Sequence, residues 1–282
     1  MGRNRHVGSD GGRLVNGLNA HSTVHYELQG DVATIRIDDG KRNALSPQVL
    51  REIKRAFERA AADSATVVLT GRETVFSAGF DLKVMKRGGL DALRMLRAGY
   101  ALTARVMAHP HPVVVACNGH VMAMGVFLML SADYVIGSRG EFKISANEVA
   151  IGLTMPRVAA AMLRHRLNPA AYQRAVTLSQ FFDVKSALSA GFFDELVDPA
   201  DLPTRATAHA NELCALDQHA HAASKRRIRG PLIRKIRFSI PFDLLDAALL
   251  GLRRPLSLSL IHISEPTRLD LASRMPSSAC IG

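Results

Sequence analysis

Glu148 stands between Ala146-Asn147 and the apolar group Val149, Ala150 and Ile151. Acids are seldom placed in such company. Burial raises the pKa of a carboxyl group towards the range in which it takes up and returns protons near neutral pH. An isolated glutamate can equally be a helix-end or ion-paired residue, so chemistry at this position also needs a place where negative charge can develop. Two stretches offer one. Val113, Val114, Val115 and Ala116 form a buried strand that the Asn118-Gly119 pair breaks, and from about Met124 the run GVFLMLSAD reads as a helix buried on most sides. The first N–H groups of a helix have no partner inside it and its dipole favours negative charge there, so this turn can build an oxyanion site. The second stretch is the small-residue loop Val75 to Asp81, whose Gly79 lets backbone approach a ligand closely.

The elements that must position these groups follow from hydrophobic spacing. Val24 to Leu28 and Val32 to Ile37 alternate around Gly30 as a hairpin. Ser46-Pro47 is a cap followed by proline at the first helical position, and the helix runs to about Ala62 with Val49, Ile53 and Phe57 on one face. Ala65 to Thr70 is a short buried strand, and Leu90 to Ala108 is a helix stopped by Pro110 and Pro112. His111, between those prolines, reads as a connector residue. Tyr134 to Ile136 and Phe142 to Ile144 read as short strands. From Pro156 to about Leu252 helix signals run almost throughout, with Asp183 capping Val184 to Ala190 and Gly191 ending it. Alternating strand, loop and helix make the first part α/β, and the last part is helical.

At 282 residues and 48% hydrophobic content the chain can bury a large core. No apolar run reaches the roughly 18–20 residues of a membrane span. Residues 1–22 lack the apolar block of a secretory signal and read as a disordered leader. Cys117, Cys214 and Cys280 make no metal spacing, and a reducing cytoplasm fits them. The net charge of +11 is concentrated: Lys225, Arg226, Arg227, Arg229, Arg234, Lys235 and Arg237 occur with no acid between Gln218 and Phe242. They read either as a solvated helix face or, for some, as contacts to a polyphosphate ligand. Aromatic interleaving of the single-strand nucleic-acid type is absent, so no nucleic-acid partner is expected. The stretch LSLIHISEPTR at Leu258 to Arg268, with SRMPSSAC at Ser273 to Cys280, looks like the in-frame translation of a sequencing-library adapter. Residues 257–282 are therefore expected to be an artefact tail.

Four pieces in order give the chain its resemblance: KRNALS at Lys41 to Ser46, FSAGFDL at Phe76 to Leu82, ACNGHVMAMGVFLMLSAD at Ala116 to Asp133, and NEVAIGLTMP at Asn147 to Pro156. Together they resemble the crotonase family of enoyl-CoA hydratases and isomerases over roughly Tyr26 to Pro199, and more loosely to about Leu252. The resemblance implies a ββα spiral core over 23–199 and a helical region over 200–256 that makes trimer contacts. It implies an acyl-CoA thioester as ligand, a homotrimer or dimer of trimers, and no separate cofactor, coenzyme A being part of the substrate. It maps the two backbone donors for the thioester oxygen to Ala78 and Met124, and the ligand path to Ala78, Gly79, Phe80 and Asp81. Arg42 falls where relatives place a cation near the CoA phosphates. Asp81 can also simply cap its loop, and His120 reads as a packed residue.

Two departures bear on the chemistry. Hydratases of the family typically show three glycines where this chain has Ala123-Met124-Gly125, and a glutamate where it has Phe127. Water addition is assigned in the family to two carboxylates, of which only Glu148 remains. A double-bond shift needs one base that takes a proton from C2 and returns it to C4. The pattern is similar to the mitochondrial-type Δ3,Δ2-enoyl-CoA isomerases, with hydratase and non-catalytic acyl-CoA binding as the alternatives.

Overall fold

The computed structural model describes residues 22–253. Of the expected leader only Ser22 is described, and the expected tail at 257–282 lies outside the described residues. The hairpin β1 (Val24–Gln29) and β2 (Val32–Ile37) leads to β3 (Ala44–Leu45) and α1 (Pro47–Ala62). The Ser46 hydroxyl caps α1 by accepting the Val49 N–H at 3.2 Å. Next come β4 (Thr66–Thr70), β5 (Thr74–Ser77), β6 (Gly79–Phe80), α2 (Leu82–Arg87) and α3 (Gly89–Met107). The third turn is β7 (Val113–Cys117), β8 (Gly119–Met122) and α4 (Met124–Met129). The fourth is β9 (Tyr134–Ser138), β10 (Ile144–Ser145) and a 3₁₀ turn at Val149–Ile151. Then follow α5 (Arg157–Arg166), α6 (Pro169–Leu178), α7 (Val184–Ala190), β11 (Glu195–Val197), α8 (Leu202–Cys214) and α9 (Gln218–Arg253).

The strands fall into a six-stranded sheet, β1-β2-β4-β7-β9-β11, and smaller sheets β10-β8-β5 and β3-β6. Every pair beyond the first hairpin is parallel. Each turn of the chain thus runs from the large sheet through a small sheet to a helix or helical turn. The central strands are apolar on both faces, as a covered parallel sheet requires. Leu202, Ala206 and Ala210 of α8 pack on Val32, Val68, Val114 and Ile136, and the main core fills the other face.

The structure amends three boundaries. The chain does not pass from the Asn118 break straight to a helix: β8 intervenes in a second sheet. The strand expected at Phe142 to Ile144 is β10 at Ile144–Ser145, while the Phe142 ring packs edge-on to His120 with centroids 5.4 Å apart. Within the stretch expected to be helical, β11 adds a sixth strand beside β9.

α9 is anchored by charge. Asp133, just after α4, accepts the Val113 N–H at 2.8 Å and pairs with Lys225 at 2.5 Å and Arg229 at 3.0 Å. Arg229 also donates to the carbonyls of Ser131 and Ala132, which follow α4. Further along, Asp243 of α9 accepts the N–H groups of Arg157 and Val158 at the start of α5, each at 2.9 Å. These bonds supply the helix cap that Pro156 cannot provide. Among the described residues no helix is long and apolar enough to cross a membrane.

Candidate active site

The site begins with a staple. Asn43 is buried at φ 51°, a left-handed conformation that asparagine tolerates better than most residues. Its amide donates to the carbonyls of Ile37 at 2.8 Å and Phe76 at 3.2 Å, and its own carbonyl accepts the Ser77 hydroxyl at 2.8 Å. The 38–43 loop and the segment leading to β6 are thereby fixed together. Gly79, at φ +87°, lies against the β8–α4 turn: a Cβ there would be 3.0 Å from the Met122 carbonyl oxygen and 3.3 Å from the Met124 nitrogen. Only glycine allows that approach.

On the other side of the contact, Ala123 takes φ 47°, a strained conformation for alanine, and turns the chain so that Met124 opens α4. The Met124 N–H therefore has no partner within the helix. The Met124 side chain is buried against α3, its terminal methyl 3.4 Å from where a Cβ on Gly99 would be. That same Cβ would be 2.5 Å from the Phe80 ring, so α3 touches both β6 and α4 at Gly99.

Glu148 follows β10 and leads into the 3₁₀ turn. Its carbonyl accepts the N–H groups of Ile151 at 3.2 Å and Leu153 at 2.9 Å, and the Ser179 hydroxyl accepts the Ala150 N–H at 3.0 Å, tying the turn to the end of α6. The carboxyl is buried, and Oε2 is sealed with no hydrogen-bond partner among the described residues. Burial pushes its pKa up to about 7. Such a group exists in both protonation states near neutral pH and can accept and return a proton. No second titratable group contributes to the shift.

The residues singled out from sequence divide as follows. Ala78 is corrected: its N–H donates to the Arg42 carbonyl at 3.0 Å, so that hydrogen is not available to a ligand. Gly79 donates to the Ser77 hydroxyl at 3.1 Å, and Asp81 reaches the Leu45 carbonyl at 3.4 Å. The Asp81 carboxylate caps α2 by accepting the Lys83 N–H at 2.8 Å. Phe127 is 1% exposed and packed in the main core. Arg42 is exposed. Of the seven cations between Gln218 and Phe242, Lys225 and Arg229 are buried on Asp133, which removes both from any phosphate role; the other five are exposed.

Sequence reasoning passed over Tyr100. It lines a cavity of about 670 Å³ between α2, α3, the 153–156 segment and α9, with Leu96, Leu153, Met155 and Ala247 among its walls. Its ring meets Phe80 edge-on, centroids 6.0 Å apart. The apolar period of α3 marks the residue only as core. No cluster of three His, Cys, Asp or Glu side chains suited to a metal occurs among the described residues.

Residues 27–235 match the family model described as enoyl-CoA hydratase/isomerase. The chain belongs to that family. A probable enoyl-CoA hydratase of Mycobacterium avium is 33% identical over 197 residues, covering 69% of this chain and 76% of the relative. Two solved structures of one Mycobacterium tuberculosis protein are each 41% identical. One, described as a probable enoyl-CoA hydratase, covers 82% of this chain and 98% of its own at a TM-score of 0.77. The other, described as an enoyl-CoA isomerase, covers 79% and 98% at 0.76. The crotonase fold and the enzyme family are thus established, and the relatives' descriptions divide between the two activities. In this member of the enoyl-CoA hydratase/isomerase family, Ala123-Met124-Gly125 opens α4 and Glu148 follows β10, and the two segments are joined where the Ala123 N–H donates to the Ser145 carbonyl at 2.9 Å.

Proposed function

We propose that this chain is a Δ3,Δ2-enoyl-CoA isomerase with Glu148 as its base. One observation carries the reading: the buried Glu148 carboxyl has an oxygen with no partner among the described residues and no second carboxylate shifting it, with Phe127 filling the core at the other family position. Glu148 takes a proton from C2 of a 3-enoyl thioester, and the released pair forms the enolate, with negative charge on the thioester oxygen. The enolate then collapses, C4 takes the proton back from Glu148, and the double bond lies between C2 and C3. Atoms and charge balance without a cofactor.

The oxyanion donors in this reading are the N–H groups of Met124 and Phe80. Phe80 replaces Ala78 because the N–H groups of Ala78, Gly79 and Asp81 are directed to Arg42, Ser77 and Leu45. Each such donor is worth roughly 2.7–4 kcal/mol of barrier. The apolar walls of the large cavity suit an acyl chain. Exposed Arg42 and the exposed arginines of α9 suit the CoA phosphates. Trimer formation belongs to the same reading, with Phe238, Phe242, Leu245 and Leu249 as an exposed apolar stripe on α9 for a second copy to cover. Cys117 and Cys214 are free thiols, which suits a cytoplasmic enzyme.

Hydration is the second reading, favoured by the descriptions most of the relatives carry. It requires a partner for Glu148 in holding water. Incubation of the purified protein with 3-enoyl-CoA and separately with 2-enoyl-CoA separates the two. Conjugated 2-enoyl thioester from the first supports isomerisation. A 3-hydroxyacyl product from the second, with no conjugation in the first, replaces it with hydration.

A further inference from the structure

The side chains of Phe80 and Met124 rest on one point of α3. A Cβ on Gly99 would lie 2.5 Å from both Cε1 and Cζ of Phe80 and 3.4 Å from the terminal methyl of Met124. The end of the Phe80 ring therefore fills the space that any larger residue at position 99 would claim. β6 has two residues, Gly79 and Phe80, and pairs with the equally short β3. So little ladder leaves the seating of the ring to decide where the Phe80 backbone lies.

Tyr100, the next residue of α3, holds the same ring from a second direction. The two rings meet edge-on, 75° between their planes and 6.0 Å between centroids. Such contacts are directional, so a shift of one ring is felt by the other. Tyr100 is also a wall of the 670 Å³ cavity, together with Leu96 one turn earlier on the same helix face. It thus touches the residue that carries a proposed oxyanion donor and the space proposed for the acyl chain. A hexanoyl group leaves most of that space empty, whereas a dodecanoyl group has the length to pack against Tyr100.

We infer that Tyr100 is a positioning residue whose ring carries the filling of the cavity to Phe80 and so sets the Phe80 N–H, with Gly99 as the seat of the Phe80 ring. Close-packed side chains transmit a displacement instead of absorbing it. An empty cavity leaves one side of Tyr100 without neighbours; a long chain closes that side and holds both rings against Gly99. Binding of a part of the substrate that does not react then orients the donor, and its effect appears in kcat as well as in KM. The contact is made by the ring, so the hydroxyl of Tyr100 is dispensable for it. The inference rests on the reading of the Phe80 N–H as an oxyanion donor.

The test compares Tyr100→Leu, which loses the ring contact, with Tyr100→Phe, which keeps it, both in the full chain. Protein carrying 15N-labelled phenylalanine is observed by NMR in complex with hexanoyl-CoA and with dodecanoyl-CoA, neither of which can isomerise; the Phe80 amide is assigned by its absence in Phe80→Leu. Its resonance is expected to differ between the two complexes in the parent and in Tyr100→Phe, and to coincide in Tyr100→Leu. In steady-state assays Tyr100→Leu should lower kcat about tenfold for 3-dodecenoyl-CoA and stay within about twofold of the parent for 3-hexenoyl-CoA, while Tyr100→Phe matches the parent on both. A chain-length difference that survives in Tyr100→Leu, or a Tyr100→Leu enzyme altered only in KM, overturns the inference. A Phe80 amide unmoved by either thioester removes Phe80 as a donor and the inference with it. The expected NMR pattern in a parent that forms no conjugated product supports the inference and counts against isomerisation alone.

Discussion

A methyl group on Gly79 would lie 3.3 Å from the Met124 nitrogen and 3.1 Å from the Ala123 side chain. Gly79→Ala must therefore push the β6 segment off the turn that opens α4, in addition to straining a backbone at φ +87°. Displacement of an oxyanion donor by a fraction of an ångström costs turnover, and about 100-fold is expected. The stability loss should be about 1–2 kcal/mol. Gly30 is the control: its φ is +57° and nothing lies within 4 Å of its missing Cβ. Gly30→Ala should show the backbone cost in denaturant melts and full turnover. Equal kinetic loss in both variants would remove the close approach from the mechanism.

Glu148→Gln should abolish turnover and raise stability in alkaline solution. The folded pKa of Glu148 lies above its unfolded value, about 7 against 4.5. Between those values the folded state holds the extra proton, so stability falls as pH rises through the interval, and the penalty is complete above about 7. The gap corresponds to about 3 kcal/mol. Glutamine does not ionise and escapes it. Urea midpoints should show the variant ahead by up to about 3 kcal/mol at pH 8, with the difference vanishing near pH 4.5. A variant less stable than the parent at pH 8 would mean that the carboxylate is paired in the folded protein.

Because the base must be ionised to take the C2 proton, kcat/KM should climb about tenfold per pH unit below 7 and level off above it. Steady-state rates with 3-enoyl-CoA from pH 5 to 9 check this. A profile flat down to pH 5 would place the base at an ordinary carboxylate value, contrary to the burial of Glu148.

The proposed base was singled out in the sequence by its apolar neighbours Val149, Ala150 and Ile151, although Val149 and Ala150 are exposed in the fold and the Glu148 carboxyl is buried by other contacts. The Met124 turn was legible because Asn118-Gly119 and the following apolar block mark a strand leading to a helix. The register of the second donor was not. Ala78, Gly79 and Phe80 each carry one backbone N–H, and only the partners the fold gives them, the Arg42 carbonyl for Ala78 and the Ser77 hydroxyl for Gly79, tell them apart. Short strands such as β3, β6 and β10, of two residues each, carry no period to read. The cations of α9 look alike in sequence, yet Lys225 and Arg229 turn inward because Asp133, nearly a hundred positions away, waits there. Tyr100 was hidden for a related reason: an aromatic residue on an apolar helix face fits the core, and nothing in the sequence shows that it lines the large cavity.

Asp133→Asn tests that distant pairing. Asp133 is 17% exposed at the side chain, Lys225 6% and Arg229 8%, so loss of the carboxylate charge leaves two enclosed cations facing each other. Breaking a buried pair on one side typically costs about 3–5 kcal/mol, and urea unfolding should show a loss in that range. Added salt should rescue little, since enclosed charges are poorly screened. Lys225→Met in the same background removes one stranded cation and should restore part of the loss, which a double-mutant cycle measures directly. The kinetic consequence follows from the other end of the same helix. α9 also supplies Asp243, which caps α5, and Ala247 in the wall of the large cavity. A loosened α9 should therefore raise KM for long acyl chains before it lowers kcat, because Glu148 and the Met124 turn are held by contacts outside α9. A fall in kcat at unchanged KM would instead tie the anchor directly to the reacting atoms.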